Sequence, residues 1–590
     1  MKKNIYLLGV MMLGGAMFSS CNDMLDKEPL DSFTNSPTFW NNPSSVEGYA
    51  AEFYNLFTGY GNNGGSGLFY FQSLSDDQAG AGFKNWKYVN VPSEDANWTS
   101  TYDEIRHANE MINSLNTMAS EMEPETKNHW LGVARLMRGW QHFDLVRKYG
   151  DCLWADHVLT TEDPLLYSAR TDRDEVMDLV LEDLQFACNN INDVSSQTTW
   201  SRDMARALTA DICLWEGTFR KYRTAEENGK GPDLAGAEKY LEYCVEVCEP
   251  LIGKYKTSDN YQAIYNSISL SGNGEVIFYK EYKQDVLEHS TIDYTCSSTQ
   301  QDGMTKDAFD SYLFLDGQLK ANTTIDTSDD MAVVTKSDND GANHLNIRNM
   351  LEKRDKRLIQ TIDTVLCYTG SGWPRVGGGM AMTASTGYTV SKYDNVTINA
   401  AYRQQTSSNY TSCPLFWGAV VRLNYAEAKC ELGTLTQDDL DRTVNELKQR
   451  AGLPTITLGV NLNDPKMTAA GVTDPLLWEI RRERRCELMF DNDFRYWDLI
   501  RWHMLDKLDT TDPKNLDTTL GAEVSVGLSV EGVAYDGAVK PDANGNGQYI
   551  DAYNVGGTDY DRVFDPKHYL YPIPGGEISL NKKLGQNLGW

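Results

Sequence analysis

The chain has 590 residues, 41% of them hydrophobic, and a formal net charge of −30. That length buries a sizeable core and suggests a few domains. That charge argues against nucleic acid or another polyanion as a partner, because phosphate binding needs clustered Lys and Arg, and it suits a soluble, non-sticky exterior.

The first 21 residues read MKKNIYLLGVMMLGGAMFSSC. Lys2 and Lys3 precede an apolar run over residues 5–18. A spanning helix needs ~20 apolar residues, so this run is short for one and has the pattern of a secretory signal. Ser19 and Ser20 stand directly before Cys21. An ordinary cleavage site needs small residues but no cysteine. A bacterial lipoprotein signal needs both, because the thiol receives a diacylglyceryl group and becomes the mature N-terminus. Each buried methylene contributes ~0.8 kcal/mol, so two or three acyl chains anchor the protein where one holds it only marginally. The alternative is a plain signal peptide with a cysteine nearby.

Helical periodicity follows in several places. Residues 44–57 and 98–118 read as helices. Val133, Leu136, Met137, Trp140 and Phe143 form one stripe, and Val176, Leu179, Val180, Leu184 and Ala187 another. Ala205, Leu208, Ile212, Trp215 and Phe219 keep a 3,4,3,4 spacing. Val421, Tyr425, Ala428 and Leu432 make a stripe that stops at Gly433. Leu440, Val444, Leu447 and Ala451 make a further one, with Asp438 and Asp439 near its start and Gly452 and Pro454 after its end. Acidic starts and Gly-then-Pro stops are expected helix punctuation. Residues 476–490 read as the last helix. Short breaks between helices, and small-residue packing in LNYAEAKCELG, predict a mainly α fold built as a tetratricopeptide-like solenoid. No strict 34-residue repeat is visible.

Between the helices lie segments rich in Gly, Ser, Thr, Asn and Asp, at residues 59–90, 255–416 and 506–565. Long irregular segments inside a compact protein are usually functional or disordered. The chain thus reads as a helical scaffold carrying elaborate loops and a few short strands.

Catalytic signatures are missing. There is no His-Glu-x-x-His among eight histidines, no phosphate loop and no Gly-x-Ser-x-Gly elbow. Two carboxylates could hydrolyse a glycoside, but nothing in the spacing of 84 acidic residues selects a pair. Eleven cysteines contain no Cys-x-x-Cys. Apart from Cys21 they read best as buried free thiols, although an exported protein is allowed disulfides. In IRRERRCELMFDNDFRYWDLIRW, residues 480–502, Arg481, Arg482, Arg484 and Arg485 are interleaved with Glu483 and followed by Glu487, Asp491, Asp493 and Asp498. A buried pair network between packed helices fits this string better than a polyanion site. In DANGNG, Asp542, Asn544, Asn546 and Gly547 match the first half of a calcium loop, but Tyr553 stands where a bidentate Glu belongs. A turn between two short strands is the alternative.

Fourteen Trp, 32 Tyr and 18 Phe leave aromatics to spare for the loops. A sugar offers an apolar ring face and polar hydroxyls, which aromatic and amide or charged side chains match. Tyr70, Trp86, Trp98, Tyr294, Tyr312 and Trp373 are the glycan-binding candidates, with core packing as the alternative for each.

Six strings, in order, resemble the SusD/RagB family of outer-membrane nutrient-binding lipoproteins: CNDMLDKEPLDSF, WTSTYDEIRHANEMI, ARLMRGWQHFDLVRKYGD, RLNYAEAKCELG with NELKQRAGLP, the Arg-rich segment, and YLYPIPGGEISLNKKLGQNLGW. The resemblance implies eight scaffold helices in about four tetratricopeptide-like pairs and a non-catalytic protein lipid-anchored through Cys21 on the cell-surface face of the outer membrane. It implies a partner, a SusC-like TonB-dependent transporter over which the protein sits as a hinged lid, and an oligosaccharide ligand. It carries over no cofactor, so calcium is the one metal to weigh. Its parts are a signal over residues 1–20, an N-terminal helical part over 21–254, a loop-rich ligand- or partner-facing part over 255–416, and a C-terminal part over 417–590. A peptide-binding lid of the RagB kind and a non-binding assembly subunit are the alternative roles.

Overall fold

The structure is a computed structural model. It describes residues 35–590 apart from residues 63–64, 72–73, 81, 297–301, 337–342, 367–374, 378–379, 383, 525–528, 531–532, 535–537 and 554–560. The signal, Cys21 and Trp373 lie outside the described residues.

The architecture is mainly α. Five long helices come first: α1 (Ala96–Met118), α2 (Pro124–Tyr149), α3 (Arg173–Asn190), α4 (Arg202–Tyr222) and α5 (Leu234–Cys248). After the loop-rich part come α6 (Gly418–Glu431), α7 (Val444–Arg450), α8 (Pro475–Glu487) and α9 (Phe494–Arg501). Their starts are chemically marked. Asp95, Asp172, Ser201, Asp233 and Asp474 each accept a backbone N–H in the first turn, and Pro124 and Pro475 occupy a position where no N–H is needed. Each of α1 to α6 packs on the next, α6 packs on α8, and α9 packs on α4. Where α4 meets α5, a Cβ on Gly217 would lie 2.7 Å from Leu241 Cγ, so only glycine admits the approach.

Two boundaries differ from the periodicity. The stripe over 440–451 is two pieces, Gln437–Asp441 and α7. Thr436 and Asp439 close a capping box on the first piece, and the backbone of Thr443 leaves the helical region before the second begins. The helix expected to reach residue 490 ends at Glu487, because Phe490, Asn492 and Asp493 take positive φ and turn the chain into α9.

The strands are few and short. β1 (Val276–Lys280) pairs antiparallel with β2 (Cys413–Trp417), placing Phe278 opposite Phe416. This ribbon closes the long loop segment on itself and delivers the chain into α6. Phe57 packs against Trp140, Phe278 and Phe416, joining the N-terminal helices to the ribbon. A three-stranded sheet has the order β4 (Val539–Lys540), β5 (Tyr549–Asp551), β3 (Leu520–Glu523). DANGNG is the turn between β4 and β5. Asp542 Oδ1 accepts the amides of Asn544 and Asn546 at 2.9 and 2.8 Å. Tyr553, in place of the glutamate, is buried against Phe83. A calcium loop places a bidentate carboxylate where this turn has the buried phenol of Tyr553.

The Arg-rich segment is a buried ion-pair network. Arg484 binds Asp498 at 2.8 Å and Asn424 at 2.8 Å. Arg485 binds Asp77 and Asp307, both at 2.7 Å, and Asp76 at 3.2 Å. Arg481 binds Glu431 at 3.0 Å, and Arg501 binds Glu427 and Asp498 at 2.7 and 2.8 Å. Arg357, from the loop-rich part, binds Glu483 and Glu487 at 2.6 and 2.8 Å. Buried charges persist only when paired, and here Arg481, Arg484 and Arg501 tie α6 to α8 and α9, while Arg485 and Arg357 tie residues 76–77 and the loop-rich part to α8. Among the described residues eight cysteines are free thiols, all buried except the half-buried Cys430. Burial pushes the Cys152 thiol up to about 12.

Candidate functional site

The first turns of α1 open onto a cleft of about 550 Å³. Trp98, Tyr102, Arg106 and Asn109 recur along one stripe of the helix and form its floor. The loop over 153–167 forms one wall and the C-terminal segment Glu577–Leu584 the other. The stripe pins the loop. Tyr102 OH accepts the Leu153 amide at 2.9 Å. Asn109 Nδ2 donates to the carbonyls of Ala155 and His157 at 2.8 and 3.2 Å, and Arg106 donates to Leu159 O at 3.1 Å. From the opposite wall, Asn581 Nδ2 donates to Ser168 O at 2.7 Å.

The rim combines ring and charge. Tyr167 is 56% exposed, with its hydroxyl donated to Thr161 O at 3.1 Å, so its ring is held and a face stays open. Leu580 is 81% exposed beside it. Asp103, Arg106, Glu577 and His157 supply polar groups to the same cleft. His157 lies between Asp156 (2.6 Å) and Asp163 (2.8 Å), and these hydrogen bonds raise its imidazole above the usual range. An open ring face among donors and acceptors can take a polyol with an apolar face. A cavity of about 630 Å³ lies between α1, α2, α4 and α9, but its aromatics are already engaged. Trp140 stacks on Phe57 at 5.0 Å, and the Arg147 guanidinium covers Trp497 at 4.1 Å.

The structure moves most of the sequence candidates into the core. Tyr312 is fully buried and donates to Cys486 O at 3.2 Å. Tyr70 is buried and donates to Asp302 O at 3.0 Å. Trp86 is buried, stacks on His568 at 4.2 Å and donates to Val563 O at 2.7 Å. Trp98 is 4% exposed, edge-on to Tyr149 at 5.0 Å, and meets the cleft only at its floor. These four rings are buried, with too little exposed surface for stacking a sugar. Tyr294 remains half-buried on the loop side, edge-on to Phe71 at 5.0 Å. Phe71 also touches Tyr70, so these two candidates share a neighbour. Tyr102, Tyr167, Arg106 and Asn109 were not singled out from the sequence. The i, i+4, i+8 recurrence of Trp98, Tyr102 and Arg106 is the signal that could have found three of the floor residues. Tyr167 carries no such signal.

Comparison with known proteins covers both walls of the cleft. The model of the SusD family matches residues 274–590. A second model, described as starch-binding associating with outer membrane, matches residues 30–214. A SusD-like protein P38 of Formosa agariphila is 23% identical over 527 residues, covering 85% of this chain and 91% of that protein. Among solved structures, a SusD-like carbohydrate binding protein from Bacteroides fragilis superposes with a TM-score of 0.64 at 20% identity, over 93% of this chain and 100% of the other. A second SusD-like protein from Bacteroides fragilis gives 0.63 at 22% identity, over 94% and 98%. The structural likenesses show the fold, and the model that matches more than half of the chain shows the family: this protein belongs to the SusD family.

Proposed function

We propose that the protein is a cell-surface lipoprotein that captures an oligosaccharide or polysaccharide without cleaving it and passes it to a TonB-dependent outer-membrane transporter. Membership of the SusD family supports glycan binding and a non-catalytic role. The description of the second family model supports association with the outer membrane. No helix among the described residues is long and apolar enough to cross a membrane; the lipoprotein reading of the first 21 residues supports attachment through a lipid on Cys21.

The observation that carries the reading is the cleft over α1, where the open face of Tyr167 stands beside Asp103, Arg106 and Glu577. Calorimetry with a panel of neutral and acidic polysaccharides tests it. Tyr167→Ala is expected to weaken the best ligand about tenfold, at the upper end of what one aromatic contact contributes, with the melting temperature unchanged because the ring is exposed. A panel that gives no heat, with peptides binding instead, would favour a peptide-binding lid. No binding of either kind, with the transporter still co-purifying, would favour an assembly subunit.

A further inference from the structure

A third cavity, of about 440 Å³, lies under the Arg-rich helix, between α8, α9, the loop-rich part and the β4–β5 turn. Its lining is unusual for a chain of net charge −30: nine basic side chains and four acidic ones. Five of the nine are the arginines Arg354, Arg481, Arg482, Arg485 and Arg495. The carboxylates that neutralise several of these stand behind the wall rather than in it. Asp76, Asp77 and Asp307 pair with Arg485, Asp76 also with Arg495, and none of the three lines the cavity. The same holds for Glu431 behind Arg481 and Asp330 behind Arg354. Over this part of the wall cations stand in front and anions at the back, whereas Arg482 and Lys306 pair with Asp464 and Asp310, which line the cavity themselves.

Two further observations point to a ligand. Arg354 is 2% exposed and leaves its Nε without a hydrogen bond, whereas the Nε of Arg481, 4% exposed, lies 3.9 Å from Glu427 Oε1. A buried guanidinium donor without an acceptor is costly unless something supplies one. Lys320 and Lys466, with side chains 52% and 39% exposed, stand where the cavity meets solvent and share its lining with the exposed Glu523 and the half-buried Asp542. Trp478 and Tyr549 supply half-buried ring surface to the same walls.

We propose that this cavity binds an oxyanion, a carboxylate or sulfate group. Guanidinium forks already desolvated and held by the carboxylates behind them lose little freedom when such a group enters. The cavity volume admits more than a bare ion, so the group is either a free anion or one carried on a small sugar. The site is independent of the cleft over α1, and a failure of glycan capture there leaves it standing.

The test titrates the full-length protein with sodium sulfate, sodium glucuronate, glucose 6-sulfate and, as a neutral control, glucose, at ionic strength fixed with sodium chloride. Crystals soaked in selenate locate the anion by anomalous scattering. The anions are expected to bind where glucose does not, with the selenate peak inside the cavity. Lys466→Gln and Lys320→Gln are each expected to weaken binding about tenfold. Glu523→Gln, which removes an exposed like charge at the mouth, is expected to tighten binding about threefold, an effect that simple destabilisation cannot mimic. Glucuronate or glucose 6-sulfate binding tenfold tighter than sulfate identifies a sugar-borne group, and equal affinities identify a free anion. Selenate absent from the cavity, or anion binding unchanged in all three variants, would overturn the proposal.

Discussion

Glu427→Gln isolates the contribution of one buried ion pair. Glu427 lies fully buried on α6, where Arg501 donates to it twice at 2.7 Å and Trp502 Nε1 once at 2.6 Å. Burial works against its charged form. Arg501, with Arg481 and Arg484 nearby, outweighs that cost and holds the carboxyl at about 2, against about 4.3 in an unfolded chain. At about 1.36 kcal/mol per pKa unit, the ionised group contributes roughly 3 kcal/mol near neutral pH. Removing one member of a buried pair costs a similar amount, about 3–5 kcal/mol. Because the folded-state pKa is depressed, this stability is present above the unfolded value and is lost as pH falls toward the folded one. Urea unfolding followed by tryptophan fluorescence should therefore put the variant roughly 3 kcal/mol below wild type at about pH 7, and less than half that at about pH 3, with equal m values. All other acidic groups are common to both chains, so the difference reports Glu427. A gap of the same size at both pH values, or none at neutral pH, would refute an ionic origin.

Three other outcomes follow from particular contacts. Trp86→Ala should destabilise the fold by about 3–5 kcal/mol in denaturant unfolding, because its ring fills a buried site against His568, whereas an exposed ligand-stacking ring would leave stability unchanged. Gly217→Ala should cost about 1–3 kcal/mol, measured the same way, since the new Cβ meets Leu241 Cγ at 2.7 Å across the α4–α5 contact. Cys21→Ala should abolish the incorporation of labelled fatty acid that the wild-type protein shows; a wild-type protein that takes up no label would remove the lipid anchor from the reading.

Helix positions and the role of the arginines were legible in the sequence because both rest on local spacing. A 3.6-residue stripe reports its own burial, and Arg481 to Arg485 carry acidic residues within the same short string. The hairpin at DANGNG was legible for the same reason, with Asn-Gly at its tip. The exposure of an aromatic is not a local property. Trp86 is covered by Val563 and His568, and Tyr312 reaches Cys486. Both rings sit in Gly- and Asn-rich surroundings that suggest a surface loop, and both become core because distant chain returns to cover them.

The chain by itself settled that apolar stripes would build a helical array, that the doubled arginines would need carboxylates, and that no familiar catalytic motif was present. Only the tertiary structure decided which carboxylates answered, bringing Asp76 and Asp77 to Arg485 across some four hundred residues, and which rings kept an open face. The physical reason is range. Helix formation is governed by neighbours three and four residues apart, whereas burial and ion pairing depend on segments whose separation in sequence says nothing about their distance in space.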